Sequence, residues 1–179
     1  MPLEWNVSSE LMAKIHSSIA PVQTDAALRT VLAEDFPRDC SNLPISGGWG
    51  YTQMDAVVFV RDQFPIPAVA DFVSLEYHIA QKIIFEELII FRKKPDSFSG
   101  IEIKLDSQSL SEKNARKYDF LKFLVTCWSD CHWDQLKKEW EENDFGARPG
   151  FDAAAHAQKR QETRVGFERH FWFDITDVW

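Results

Sequence analysis

A carboxylate in an unusual place gives the first chemical signal of this sequence. Phe72, Leu75, Ile79 and Ile83 recur at helical spacing, and Val73, Ala80 and Ile84 widen the stripe to the breadth of a core-facing helix. Projected at about 100° per residue, Glu76 falls in the middle of that apolar arc, while His78 falls on its polar side. A desolvated carboxyl has a raised pKa, which is how enzymes make a general acid or base. The other reading leaves Glu76 in the first turns of the helix, where acids suit the dipole and the end stays wet.

Cys127-Trp128-Ser129-Asp130-Cys131-His132 gathers metal-ligand residue types, and His156 or His170 could complete a zinc set. The spacing differs from the two-residue knuckle and Cys127 projects toward the core, so neither a metal nor a cofactor is expected. A Cys and His catalytic pair at these positions has no visible third group, and no Gly-x-Ser-x-Gly nucleophile motif occurs.

Ser46-Gly47-Gly48-Trp49-Gly50-Tyr51 holds three of the seven glycines. Such density marks a backbone that needs positive φ or close approach. One reading is a loop that cradles a ligand, with Trp49 and Tyr51 as a stacking platform. The other is a tight connection that inserts an aromatic anchor into the core. The segment has neither the ending of a phosphate loop nor the glycine spacing of a dinucleotide fingerprint.

The last group lies near the C-terminus, where Glu168, His170, Trp172 and Asp174 alternate with Phe167, Phe171 and Phe173. His170 and Asp174 stand about 13 Å apart along a strand, too far to bond each other. With Tyr118, Trp128, Glu102 and Asp106 on the outward faces of other strands, they sketch a polar and aromatic sheet surface suited to a protein interface. The competing expectation is that helices cover this face, which would make Trp128 and Trp172 core residues. The binding candidates are therefore Trp49, Tyr51, Glu102, Tyr118, His170, Trp172 and Asp174, and the catalytic candidate is Glu76.

These side chains need an α+β scaffold to hold them. Strands are expected near residues 55 to 61, 87 to 93, 100 to 107, 118 to 128 and 164 to 175, with a polar connection from Ser107 to Lys117. In this reading the long helix capped by Asp71 passes into Leu88-Ile89-Ile90-Phe91, the first strand of a hairpin with Ile101 to Asp106. Helices are expected from Ser8 or Ser9 to Pro21, after Thr24, after Ser129 or Asp130, and after Asp152. The sum is one domain over residues 1–179, an antiparallel sheet of about five strands with helices mainly on one face, and an N-terminal helical segment, residues 1–35, packed on it.

Composition narrows the partners. Fourteen Phe and seven Trp set a disordered chain aside, and 179 residues can bury about 70% of their unfolded surface in one core. No apolar run approaches the roughly 20 residues of a membrane span. The start lacks signal-peptide character and the cysteines number three, so a cytoplasmic location is expected. The formal charge of −8 repels phosphate backbones and anionic lipid. Neither nucleic acid nor a membrane is an expected partner, whereas a basic protein is.

The segment Ser46 to Tyr51 followed by Asp55-Ala56-Val57-Val58, with Phe98-Ser99-Gly100-Ile101 and the ending Phe171-Trp172-Phe173-Asp174-Ile175-Thr176-Asp177, resembles a family of small uncharacterised bacterial proteins. The likeness runs from about Leu43 to the C-terminus and implies no activity, ligand or catalytic residue. Small acidic α+β proteins of this class are often toxin-neutralising immunity proteins, which is an analogy of class. The expected function is non-enzymatic protein binding of that kind. The alternative is a small hydrolase or ligand-binding protein with a pocket between the Gly47 to Tyr51 loop and Glu76.

Overall fold

The computed structural model describes residues 19–60 and 71–179; the expected first helix lies outside them, apart from its end at Ile19 to Pro21. Leu28–Asp35 forms helix α1, burying Leu28, Val31 and Leu32 on one face, and the single turn Pro37–Cys40 (α2) follows it. Ile45–Gly47 (β1) and Val57–Phe59 (β2) flank the glycine segment and pair antiparallel. Asp71 caps helix α3, Phe72–Phe85, by accepting from the Ser74 N–H. Two long strands, Phe98–Lys113 (β3) and Arg116–Ser129 (β4), make an antiparallel hairpin. Ser129 caps α4, Asp130–Glu142, and Asp152 caps α5, Ala153–Glu162, before the last strand, Val165–Asp174 (β5).

The five strands form one sheet in the order β1-β2-β5-β4-β3. It is mostly antiparallel, as the alternating pattern implies, with one parallel pair where β2 meets β5 at Val57 opposite Phe173. The inner face carries Leu121, Phe123 and Val125 of β4 with Phe167, Phe171 and Phe173 of β5, all buried. Helix α3 covers this face through Ile79, Ile83 and Ile84, and the Tyr77 ring meets Phe123 edge-on at 6.2 Å. The face that α3 covers is thus a largely apolar surface that carries two buried charged residues, Asp119 of β4 and Arg169 of β5.

Two expected elements are corrected. Leu88 to Phe91 is not a strand: the helix continues from α3 into a π-helical turn over Glu86–Ile90, with Leu88 buried and Ile89 and Ile90 exposed. A short apolar run does not distinguish strand from helix, and here the chain had no turn signal at which to leave the helix. The partner of β3 is therefore β4. Ser107 to Lys117 is likewise no loop, because the ladder runs on through Leu110 opposite Asp119 and closes at Asn114 and Ala115. These residues are almost all solvent-exposed, so no apolar alternation announces the strand.

The outer face divides in two. Near the end of β4, helices α4 and α5 cover Trp128, whose ring lies 5.2 Å from Trp133 and whose Nε1–H donates to the Arg160 carbonyl at 2.8 Å. Tyr118, Phe120, Leu124 and Trp172 stay partly open to solvent, and His170 is exposed.

Candidate functional site

Helix α3 and its π turn carry three glutamates with buried side chains, Glu76, Glu86 and Glu87. Buried carboxylates need partners, and two of these meet a second carboxyl while the third meets a cation and a phenol. Glu76 lies against Asp119 of β4, itself buried. Burial first, and then the charge and hydrogen bond of Asp119, push the Glu76 carboxyl up to about 9. Glu76 Oε2 and Asp119 Oδ1 meet no other donor, so a proton held between the two carboxyls is what satisfies them. The other Asp119 oxygen accepts from the Gln108 side-chain amide, and Gln108 Oε1 accepts from the Tyr77 hydroxyl at 2.6 Å. This chain of groups can hold a proton at neutral pH.

Glu86 makes a second acid pair. Burial and a hydrogen bond with Asp35, at the end of α1, push it up to about 8, with Lys82 acting the other way.

Glu87 is held differently, by a cation and a phenol. Arg169 Nε donates to Oε2 at 2.8 Å and the Tyr51 hydroxyl donates to Oε1. Burial raises the Glu87 carboxyl, while Arg169 and Tyr51 pull it back. The Tyr51 phenol is driven up by burial and by the adjacent Glu87 charge. Arg169 also donates to the Ile19 carbonyl at 2.8 Å and lies over the Phe167 ring. A lone arginine on the apolar face of β5 calls for a buried acid, and that was the readable signal for Glu87.

The glycine segment is a tight connection with an aromatic anchor. Trp49 is only 5% exposed and meets Phe91 edge-on at 5.7 Å. Its N–H donates to Asp55 Oδ2, and the Gly47 backbone, at φ +83°, passes so near the Ala56 carbonyl that a Cβ would lie 2.4 Å from it. Tyr51 reaches Glu87 and Glu76 reaches Asp119, so the loop and the catalytic candidate engage different partners.

The outward row is brought together in part. Trp172 packs at a tilt against Phe120 with ring centroids 4.7 Å apart and meets Tyr118 at 6.3 Å, and Phe120 lies 5.4 Å from His170. Beside them Lys122 bridges Glu168 at 2.7 Å and Asp106 at 3.2 Å, two acids to one base. Asp174, in contrast, is 2% exposed; it accepts from Arg116 Nε at 2.8 Å and from the Thr176 hydroxyl at 2.6 Å. Glu102 stays exposed but pairs with Arg164, toward the covered end of the face. Phe120 joins Tyr118, His170 and Trp172 in one continuous aromatic patch.

Cys127 is buried in the sheet, while Cys131 and His132 are exposed on the first turn of α4. Among the described residues no group of three His, Cys, Asp or Glu side chains is placed to hold a metal ion, and no helix is long and apolar enough to cross a membrane. No family model, curated protein or solved structure matches this chain.

Proposed function

We propose that this protein binds a basic protein partner on the aromatic half of its outer sheet face and has no catalytic task, in the manner of a toxin-neutralising protein. The observation that carries the reading is the patch of Tyr118, Phe120, His170 and Trp172, partly open to solvent and bordered by Glu168 and Asp106. Rigid rings supply contact area at little entropic cost, and the surplus of acid beside them suits a cationic partner. The formal charge of −8 favours the same partner at long range.

The enzymatic alternative has less support. It needs a cavity shared by Glu76 and the glycine loop, and the loop engages Glu87, about 16 Å further along the helix.

The test uses Trp172→Ala. Affinity capture from the native cell at low ionic strength should retain a basic protein with the wild type, and the variant should bind that protein at least about 2 kcal/mol more weakly. Its thermal melt should lose clearly less than the about 3 to 5 kcal/mol of a core truncation. A variant that binds as well as the wild type, or a full core-sized loss of stability, would withdraw the patch as the binding surface.

A further inference from the structure

Between α4 and α5 lies a cavity of about 330 Å³, separate from the outer-face patch. Its lining combines Trp133, Leu136 and Trp140 with His156, and the alanines at 153 and 157 keep the α5 side shallow. The ring of Trp140 lies 5.3 Å from His156, so the wall is aromatic as well as apolar. Two cations, Lys137 and Arg160, also line it. Neither has an acidic partner among the described residues; the Arg160 guanidinium rests instead over the Trp128 ring at 5.2 Å. In a chain of net charge −8, two uncompensated cations at one apolar cavity are notable.

His156 supplies the independent sign of a ligand. It is 9% exposed, and its Nδ1 is buried with no hydrogen-bond partner. Its polar neighbour is Glu139 Oε2, at 3.7 Å an ion-pair contact when the ring is protonated, and Glu139 is also engaged by Lys159 at 2.7 Å. A buried polar atom left open costs free energy unless something fills its valence.

We propose that this cavity binds a small planar aromatic carboxylate, its ring against Trp133, Trp140 and Leu136 and its carboxyl toward Lys137, Arg160 and His156. An apolar cleft with a few polar groups is the general form of such sites. The charges discriminate against neutral aromatics, and Lys159, at 2.7 Å, offsets the Glu139 carboxylate that stands beside His156.

The probe is 2-naphthoate, titrated into the whole protein by calorimetry and by quenching of tryptophan fluorescence, with neutral 2-naphthalenemethanol alongside. The wild type should bind one equivalent of the acid saturably and prefer it to the alcohol by about tenfold or more, which is about 1.4 kcal/mol. Lys137→Gln combined with Arg160→Gln should remove that preference and leave the alcohol unaffected. Ala157→Leu, at an exposed helical position that tolerates leucine, should fill the cavity and weaken both ligands about tenfold with an unchanged melt. The proposal falls if the wild type binds no acid up to about 1 mM, if it does not distinguish acid from alcohol, or if Ala157→Leu binds as well as the wild type.

Discussion

A glutamate buried against a second carboxyl keeps its proton far beyond the pH at which a solvated one gives it up. For Glu76 the window runs from the ordinary glutamate value of 4.5 to about 9. Between these limits the folded state holds a proton that the unfolded state has released. The stabilising contribution is full below about pH 4.5, declines with each unit of rising pH and is gone at about 9. Glu76→Gln removes the titration and leaves an amide that can still donate to Asp119. The stability difference should therefore shift toward the variant by roughly 2 to 4 kcal/mol between pH 5 and pH 8, read from urea unfolding at both values. A difference that does not move with pH would mean that Glu76 ionises normally. Its burial was legible in the sequence because its place in the apolar arc needs only a helical projection. Asp119 was legible in principle, as the next inward position before Leu121, although the apolar row that marks the inner face begins only after it. Glu87 was hidden by the strand expected from 87 to 93, and Glu86 by the end of the helical stripe just before it.

The strand hairpin raises a problem of its own at Asn114 and Ala115. Lys113 pairs with Arg116, so two residues make the turn, and both have positive φ, +52° at Asn114 and +60° at Ala115. This is the left-handed pattern that two-residue hairpins prefer, and it suits Asn and Gly but not Ala, whose Cβ crowds the following carbonyl. Ala115→Gly should relieve that strain. After the extra chain entropy of glycine, a net gain of about 0.5 to 1 kcal/mol is expected, visible as a higher urea midpoint at unchanged slope. A lower midpoint would mean that the turn is not left-handed in solution. The same turn explains why the outer half of this hairpin escaped the sequence pattern. Asn-Gly between apolar alternations is the strong hairpin signal, whereas Asn-Ala between serines, a glutamate and lysines reads as a polar loop. The inner half was legible because Ile101, Ile103 and Leu105 alternate against a buried face.

At the scale of the whole molecule, charge and surface shape act on different steps of association. Helices α4 and α5 close one end of the outer sheet face over Trp128 and leave the other end, around Trp172, partly open. Sequence alternation could identify which residues face outward, but not which of them a helix further along the chain would cover, because that depends on where α4 and α5 dock. The net charge of −8 acts before contact, by drawing in a cationic partner, and it is screened by salt. The rings act after contact, by holding the docked complex. Raising ionic strength from about 10 to about 150 mM should therefore slow association by about tenfold or more and change dissociation little. Glu168→Gln with Asp106→Asn should blunt that salt dependence, because it removes both acids that flank the patch and share Lys122. Trp172→Ala should instead speed dissociation and preserve the dependence on salt. Stopped-flow and surface-binding measurements on the captured partner separate these rates. If salt leaves the association rate unchanged, the partner is not basic; if Trp172→Ala alters only the association rate, the rings do not hold the complex.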